Sequence, residues 1–340
     1  MNLPKILSIG AATQDVFLSN SPEFRLISMA ENQDVVEFQL GSKIDIQNID
    51  ISSGGGATNA ATTFARQGLI SSFMGVVGED SSGEQILKML DEESIDTSRV
   101  EFSKRFNTDY STIILAPNGE RTILTYRGAS EHIYAENFEL KYGEFDWVYV
   151  SNLSGRLDLG SISNVARFGS QKIETIVQDV HIKEAIKKGA RIAWNPGKKE
   201  LQEPEKVRTL LQDVEVLIVN KEEASLIFEG VSAEELVRNA CSFVEVAILT
   251  DGANGVWAAS DGKIIRAGMY EDVPLIDRTG AGDAFGSGFV SQWVQGADIK
   301  ESILFASANS TSVIQYMGAK KGILYKNTKL HSMPMQEIRL

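Results

Sequence analysis

The chain has 340 residues, 43% hydrophobic and 23% charged, the proportions of an ordinary globular protein, so wholesale disorder is excluded. Lys and Arg number 33 against 46 Asp and Glu, a formal net charge of −13, which disfavours duplex nucleic acid as a partner. A lone Cys241 excludes a disulfide framework and a cysteine-cluster zinc site, and the scattered His132, His181 and His331 argue against a His-based metal site.

No apolar run approaches the ~18 residues a membrane span needs. The opening MNLPKILSIGAATQDVF has one Lys, a short apolar run and an early Asp, unlike a signal peptide, so a cytoplasmic location is expected.

In chain order, KILSIG (Lys5–Gly10) reads as a buried strand ending in glycine. Residues 16–51 then alternate apolar and polar with little helical period, and EFQLGSKIDIQNIDI within them is expected to form a hairpin. Helical patterns follow at 59–67 and 83–92. Residues 101–127 alternate again, with YSTIILAPNGERTILTY as a second hairpin turning at Asn118 and Gly119. Buried strands are then expected at WVYVS (Trp147–Ser151), RIAWN (Arg191–Asn195), 214–220 and 244–250. Between them the pattern predicts helices at 172–188, 206–211, 222–228 and 233–241. DGANGVWAASDGKIIRAG reads as a hairpin turning at Asp261 and Gly262, and helices begin near Ala281 and Glu301. Continuous apolar runs separated by helices imply an α/β fold with a mainly parallel sheet covered on both faces. No linker or repeat interrupts it, so the chain reads as one domain spanning 1–340. The two alternating stretches, about 16–51 and 101–127, form one small β layer inserted into it. Trp147, Trp194, Trp257 and Trp293 fall in or beside predicted elements, as packing residues.

Two stretches carry chemistry. In Asp277-Arg-Thr-Gly-Ala-Gly-Asp283, a glycine-rich turn opens a helix, where convergent backbone N–H groups and the helix dipole favour an anion. A carboxylate at that place suits proton abstraction from an attacking hydroxyl beside amides that stabilise a transferring phosphoryl group. An ordinary Asp cap is the plainer alternative. So is a dinucleotide fingerprint, since Gly280, Gly282 and Gly286 spell G-x-G-x-x-x-G, although no buried strand precedes them. The second stretch, Ser53-Gly54-Gly55-Gly56-Ala57-Thr58-Asn59, offers bare backbone and one amide at a helix start, which suits a polyol.

Together these motifs resemble the ribokinase family, the PfkB-type carbohydrate kinases, and the likeness runs over nearly the whole chain in the expected order. It implies a three-layer α/β/α sandwich with an inserted β-sheet lid. It also implies transfer of the ATP γ-phosphoryl group to a primary hydroxyl of a sugar or nucleoside. In this resemblance Asp283 is the general base, and Gly280, Ala281 and Gly282 complete the anion hole. Asp15, Gly55, Gly56 and Asn59 bind the acceptor. Asn195, Asn220, Thr250, Gly252, Gly255 and Asn309 belong to the nucleotide side. Glu223, in Asn220-Lys-Glu-Glu223, organises Mg²⁺ through water, and Asp277 with Thr279 marks a K⁺ site. Several relatives dimerise lid against lid, so a homodimer is an expectation.

The chain also departs from the family pattern. Arg278 stands where many relatives carry a small or β-branched residue, and Gln315 and Tyr316 replace a common Thr-Arg. The motif GGGATN lacks the Lys that ribokinases proper carry after two glycines, which weakens ribose as the acceptor. Arg121 and Arg127 are expected as solvated strand charges or as contacts to substrate or phosphate. A catalytically silent sugar-binding protein and an NAD-linked oxidoreductase are the alternative functions.

Overall fold

The computed structural model describes residues 3–19, 21, 24–29, 33–116, 120–133, 140–153, 189–270 and 273–339. The expected helix at 172–188, the turn at Asn118 and Gly119, and His181 lie outside them.

Six parallel strands form the backbone of the fold: β1 (Lys5–Gly10), β6 (Ile70–Met74), β11 (Trp147–Ser151), β12 (Arg191–Asn195), β13 (Val216–Asn220) and β14 (Val246–Thr250). Antiparallel β15 (Val256–Ser260), β16 (Lys263–Ala267) and β17 (Met335–Arg339) extend one edge. The nine strands run β17-β16-β15-β14-β13-β12-β11-β1-β6.

Alternate residues of each strand feed different faces. Leu7, Val148, Ile192, Leu217 and Leu249 enter one apolar cluster with side chains of α3 (Pro204–Leu211), α4 (Lys221–Ile227) and α5 (Ala233–Ala240). Ile6, Tyr149, Ala193, Ile218 and Ile248 enter another with α1 (Gly56–Arg66), α6 (Ala281–Trp293) and α7 (Ile299–Val313). A sheet buried on both faces needs near-continuous apolar strands, and that is how these runs read in sequence.

The smaller sheet has four strands in the order β10-β9-β2-β5. They are β2 (Thr13–Ser19), β5 (Asn48–Gly54), β9 (Asp109–Leu115) and β10 (Arg121–Tyr126). The antiparallel pairing of β9 with β10 fits the expected hairpin. The hairpin expected within 37–51 does not form. β4 (Gln33–Glu37) pairs with β3 (Arg25–Met29), and β5 pairs with β2 instead. Period-2 alternation identifies a strand but not its partner, and β2 offers β5 a seven-residue antiparallel register from Thr13↔Gly54 to Ser19↔Asn48. The small layer therefore starts at Thr13. β8 (Glu101–Ser103) leaves it to pair with β7 (Val76–Gly78). β6, with buried Ser71 and Ser72, and β17 carry weak strand patterns and are additions to the expected set.

Candidate active site

The carboxyl ends of the parallel strands lie side by side, and this is where an open α/β sheet presents its ligands. Gly10 is in register with Ser151, Ser151 with Asn195, and Asn220 with Thr250. Only two residues separate β1 from β2, so the chain leaves the large sheet at this edge and enters the small one immediately.

The small sheet then delivers Asp15. Asp15 pairs with Ser52 of β5 and Ser111 of β9, and β5 runs straight into the glycine turn before α1. A Cβ on Gly54 would sit 1.9 Å from Asp15 Oδ2, and one on Gly55 would sit 2.2 Å from the Ala11 carbonyl oxygen. Gly55 also has φ of +95°, so close approach and backbone conformation both demand glycine there. Asp15 is buried, and desolvation raises its carboxyl to about 6 against the opposing pull of Lys320, Ser111 and Arg127.

The large domain delivers Asp283. Gly280, at φ +77°, turns the chain into α6, and no side chain caps the helix start. Gly282 is exposed, with nothing within 4 Å of where a Cβ would stand, so a ligand can approach the backbone of this first turn. Asp283 sits in this first turn with its carboxyl largely screened from water, and burial raises its pKa, opposed by Asn59 and Lys320. Asn59 Nδ2 donates to Asp283 Oδ2 at 2.8 Å, so α1 and α6, and with them the two sequence motifs, meet at a hydrogen bond.

Lys320 was not anticipated. Its Nζ donates to Asn59 Oδ1 at 2.6 Å and to Thr58 Oγ1 and the Ser53 carbonyl, each at 2.8 Å. The only sequence signal was its place directly after the Gly318 and Ala319 turn.

On the other side of α6 lies a cavity of about 470 Å³, lined by Thr250, Gly252, Gly255, Ala281, Gly282 and Ser310 among others. The structure thus brings five expected residues around one pocket. Asn195 and Asn220 stand at neighbouring strand ends. Asn195 Nδ2 donates to the Ile218 carbonyl at 2.8 Å. Asn220 and Glu223 lock into a capping box: Glu223 N donates to Asn220 Oδ1 at 2.8 Å and Asn220 N to Glu223 Oε2 at 2.9 Å. Burial, reinforced by Glu222, raises the Glu223 carboxyl.

Asn309 is not among the residues brought to this cavity. It is fully buried, donates to the Ala284 carbonyl and accepts from Leu324 N, both at 2.8 Å, and is absent from the cavity wall. It braces α7 against α6 and the following loop where a nucleotide contact was expected.

Asp277 is also occupied. Its Oδ1 accepts from Thr279 N and Oγ1, its Oδ2 accepts from Gly318 N, and Arg121 Nε stands 4.0 Å from Oδ1. Arg121 therefore faces the body and not open solvent, while Arg127 is exposed and lies 3.5 Å from buried Asp109. A guanidinium facing this carboxylate fits poorly with K⁺ at Asp277 and Thr279. No group of three His, Cys, Asp or Glu that could hold a metal occurs among the described residues. Residues 273–278 form no strand, so the glycines before α6 lack the strand–turn–helix setting of a dinucleotide fingerprint.

The sequence profile of the pfkB family carbohydrate kinases matches residues 26–324. Ribokinase of Haemophilus influenzae is 26% identical over 296 residues, 83% of this chain and 88% of that protein. The nucleoside kinase of Methanocaldococcus jannaschii, an archaeal member of the ribokinase family, superposes with a TM-score of 0.72 at 20% identity, covering 95% of both chains. Arabidopsis thaliana ribokinase, solved with ribose and ATP, superposes with a TM-score of 0.69 at 19% identity over 96% of each chain.

Proposed function

The chain belongs to the pfkB family of carbohydrate kinases, phosphotransferases with an alcohol acceptor, and on that premise we propose a specific reaction: transfer of the ATP γ-phosphoryl group to a primary hydroxyl of a sugar or nucleoside. The observation that carries it is the place of Asp283 at the uncapped start of α6. A 470 Å³ cavity lies on one side, and the glycine turn with Asp15 lies on the other.

In this reading the cavity takes ATP, with Thr250, Gly252 and Gly255 along its wall. Asp15, Asn59 and the bare backbone at Gly55 and Gly56 bind acceptor hydroxyls and aim one at Asp283. Asp283 takes that hydroxyl's proton, and the amides at 280–283 stabilise the charge developing on the phosphoryl oxygens. Burial, which raises the Asp283 pKa, makes it a stronger base once it is ionised. Mg²⁺, when bound, neutralises phosphate charge. With no protein cage for it among the described residues, the phosphates and water would hold it, and Glu223 would orient that water from its capping box. The donor set at Asp277 does not call for K⁺, so turnover should change less than about two-fold when K⁺ is replaced by tetramethylammonium.

The small sheet would act as the lid that keeps the site dry. Its outer side exposes Ile49, Ile51 and Leu124, a surface on which a second lid could pack to form a homodimer. No helix among the described residues is long and apolar enough to cross a membrane, and a cytoplasmic location is part of the same proposal.

The test is acceptor-dependent ADP release across a panel of sugars, sugar acids and nucleosides. At least one panel member should give saturable release. None above the acceptor-free rate would favour a silent binding protein.

A further inference from the structure

We propose that Lys320 is a positioning residue for phosphoryl transfer: its ammonium aims Asn59 at Asp283 and supplies the positive charge between Asp15 and Asp283. The inference rests on the kinase reading for its consequence, but on contacts alone for its premise.

The contacts specify the charged form. Lys320 Nζ faces three acceptors: the Ser53 carbonyl, Asn59 Oδ1 and Thr58 Oγ1. The Thr58 hydroxyl proton already points elsewhere, since Thr58 Oγ1 donates to the Gly54 carbonyl at 2.7 Å. Three acceptors need three N–H donors, and an ammonium has three where a neutral amine has two.

The same contacts fix Asn59. An amide side chain can present oxygen or nitrogen to a neighbour, and a carboxylate accepts only the nitrogen. By holding Oδ1, Lys320 leaves Nδ2 for Asp283.

Lys320 is held rigidly. Arg66 NH1 donates to the Lys320 carbonyl at 2.9 Å and to that of Ile323 at 2.8 Å, while Gln67 Nε2 donates to the Leu324 carbonyl at 2.8 Å. Leu324 N donates to Asn309 Oδ1 at 2.8 Å. The far end of α1 thus clamps the loop whose lysine reaches back to the start of α1. A cation missing from the glycine motif in sequence arrives at the same turn from residue 320.

The charged groups around Lys320 come from several elements: Asp15 on β2, Asp283 on α6, Arg66 on α1 and Glu93 after α2 (Ser81–Glu92). Burial lowers the Lys320 ammonium to about 7, and the two aspartates oppose that shift. Reciprocally, Lys320 lowers the pKa of both aspartates, and Tyr149 is the further titratable group that feels Asp283.

Lys320→Met removes the cation and leaves a chain of similar length. The Asp283 carboxyl should then titrate about one pH unit higher, read by ¹³C NMR of the free protein, with no acceptor needed. In turnover, the acidic limb of kcat/KM should move up by the same amount. kcat should fall at least about tenfold, while KM for ATP changes less than about two-fold. In the Asn59→Ala background, Lys320→Met should cost much less, because the two residues act through one contact. An unmoved Asp283 titration would overturn the proposal whatever the activity. A moved titration without acceptor-dependent ADP release in wild type would instead overturn the kinase reading. If the Met variant does not fold, Lys320→Arg decides. A retained charge should keep the Asp283 titration within about 0.3 unit of wild type, and a full-unit rise would sink the idea.

Discussion

In the nine-stranded sheet, β11 buries all five of its residues; in the four-stranded sheet, β10 buries none. Both strands are rich in β-branched and aromatic residues, so propensity does not separate them. Coverage does. Helices pack on both faces of the large sheet, while the outer strands of the small one leave Ile49, Ile51, Ile123, Leu124 and Tyr126 exposed. Buried apolar surface is concentrated in the first sheet, and the second keeps an open face. The candidate site draws on both. Asp283 and the open helix start come from the body, Asp15 from the small sheet, and Arg121 of β10 reaches back to Asp277.

That contrast can be broken by substitution. Leu217→Ala, fully buried in the large sheet, should lose about 2–5 kcal/mol in urea unfolding. Leu124→Ser, exposed in the small sheet, should stay within about 0.5 kcal/mol. Comparable losses at both would contradict the division.

Asp15→Asn should act in opposite directions on binding and stability. A native pKa of about 6, above the ordinary carboxylate value, means that the folded state holds this proton more tightly than the unfolded chain. Asp15 therefore stabilises at low pH, and that contribution is lost as pH rises through about 6. At neutral pH the wild type carries a buried carboxylate at a cost, so the amide should raise the melting temperature. Acceptor KM should rise about tenfold, because the ionised form accepts hydroxyl hydrogen bonds that an amide only half replaces. An unchanged KM would remove Asp15 from the acceptor site, and a melting temperature that falls would contradict the cost assigned to its buried carboxylate.

Much of this was legible in the residues. The strands Lys5–Gly10, Trp147–Ser151 and Arg191–Asn195 coincide with the expected bounds, because strands buried on both faces read as uninterrupted apolar runs. The turn at Asp261 and Gly262 adopts positive φ at both residues, as its Asp-Gly spelling requires. The partner of β5 was not legible, since alternation is local and pairing is not. The contacts of Asn309 were not legible for a related reason: position on a helix does not reveal whether an amide faces a cavity or a neighbouring carbonyl. Lys320 escaped because its three acceptors lie more than 260 residues away, and a lone lysine after a turn reads as a surface charge.

The most direct measurement compares wild type with Asp283→Asn on the best acceptor, with ATP binding followed separately. The account predicts ADP release lower by about 10²–10⁴-fold with ATP affinity nearly unchanged, because an amide keeps the shape of the carboxylate but cannot take the hydroxyl proton. Turnover near the wild-type rate would contradict proton abstraction by Asp283.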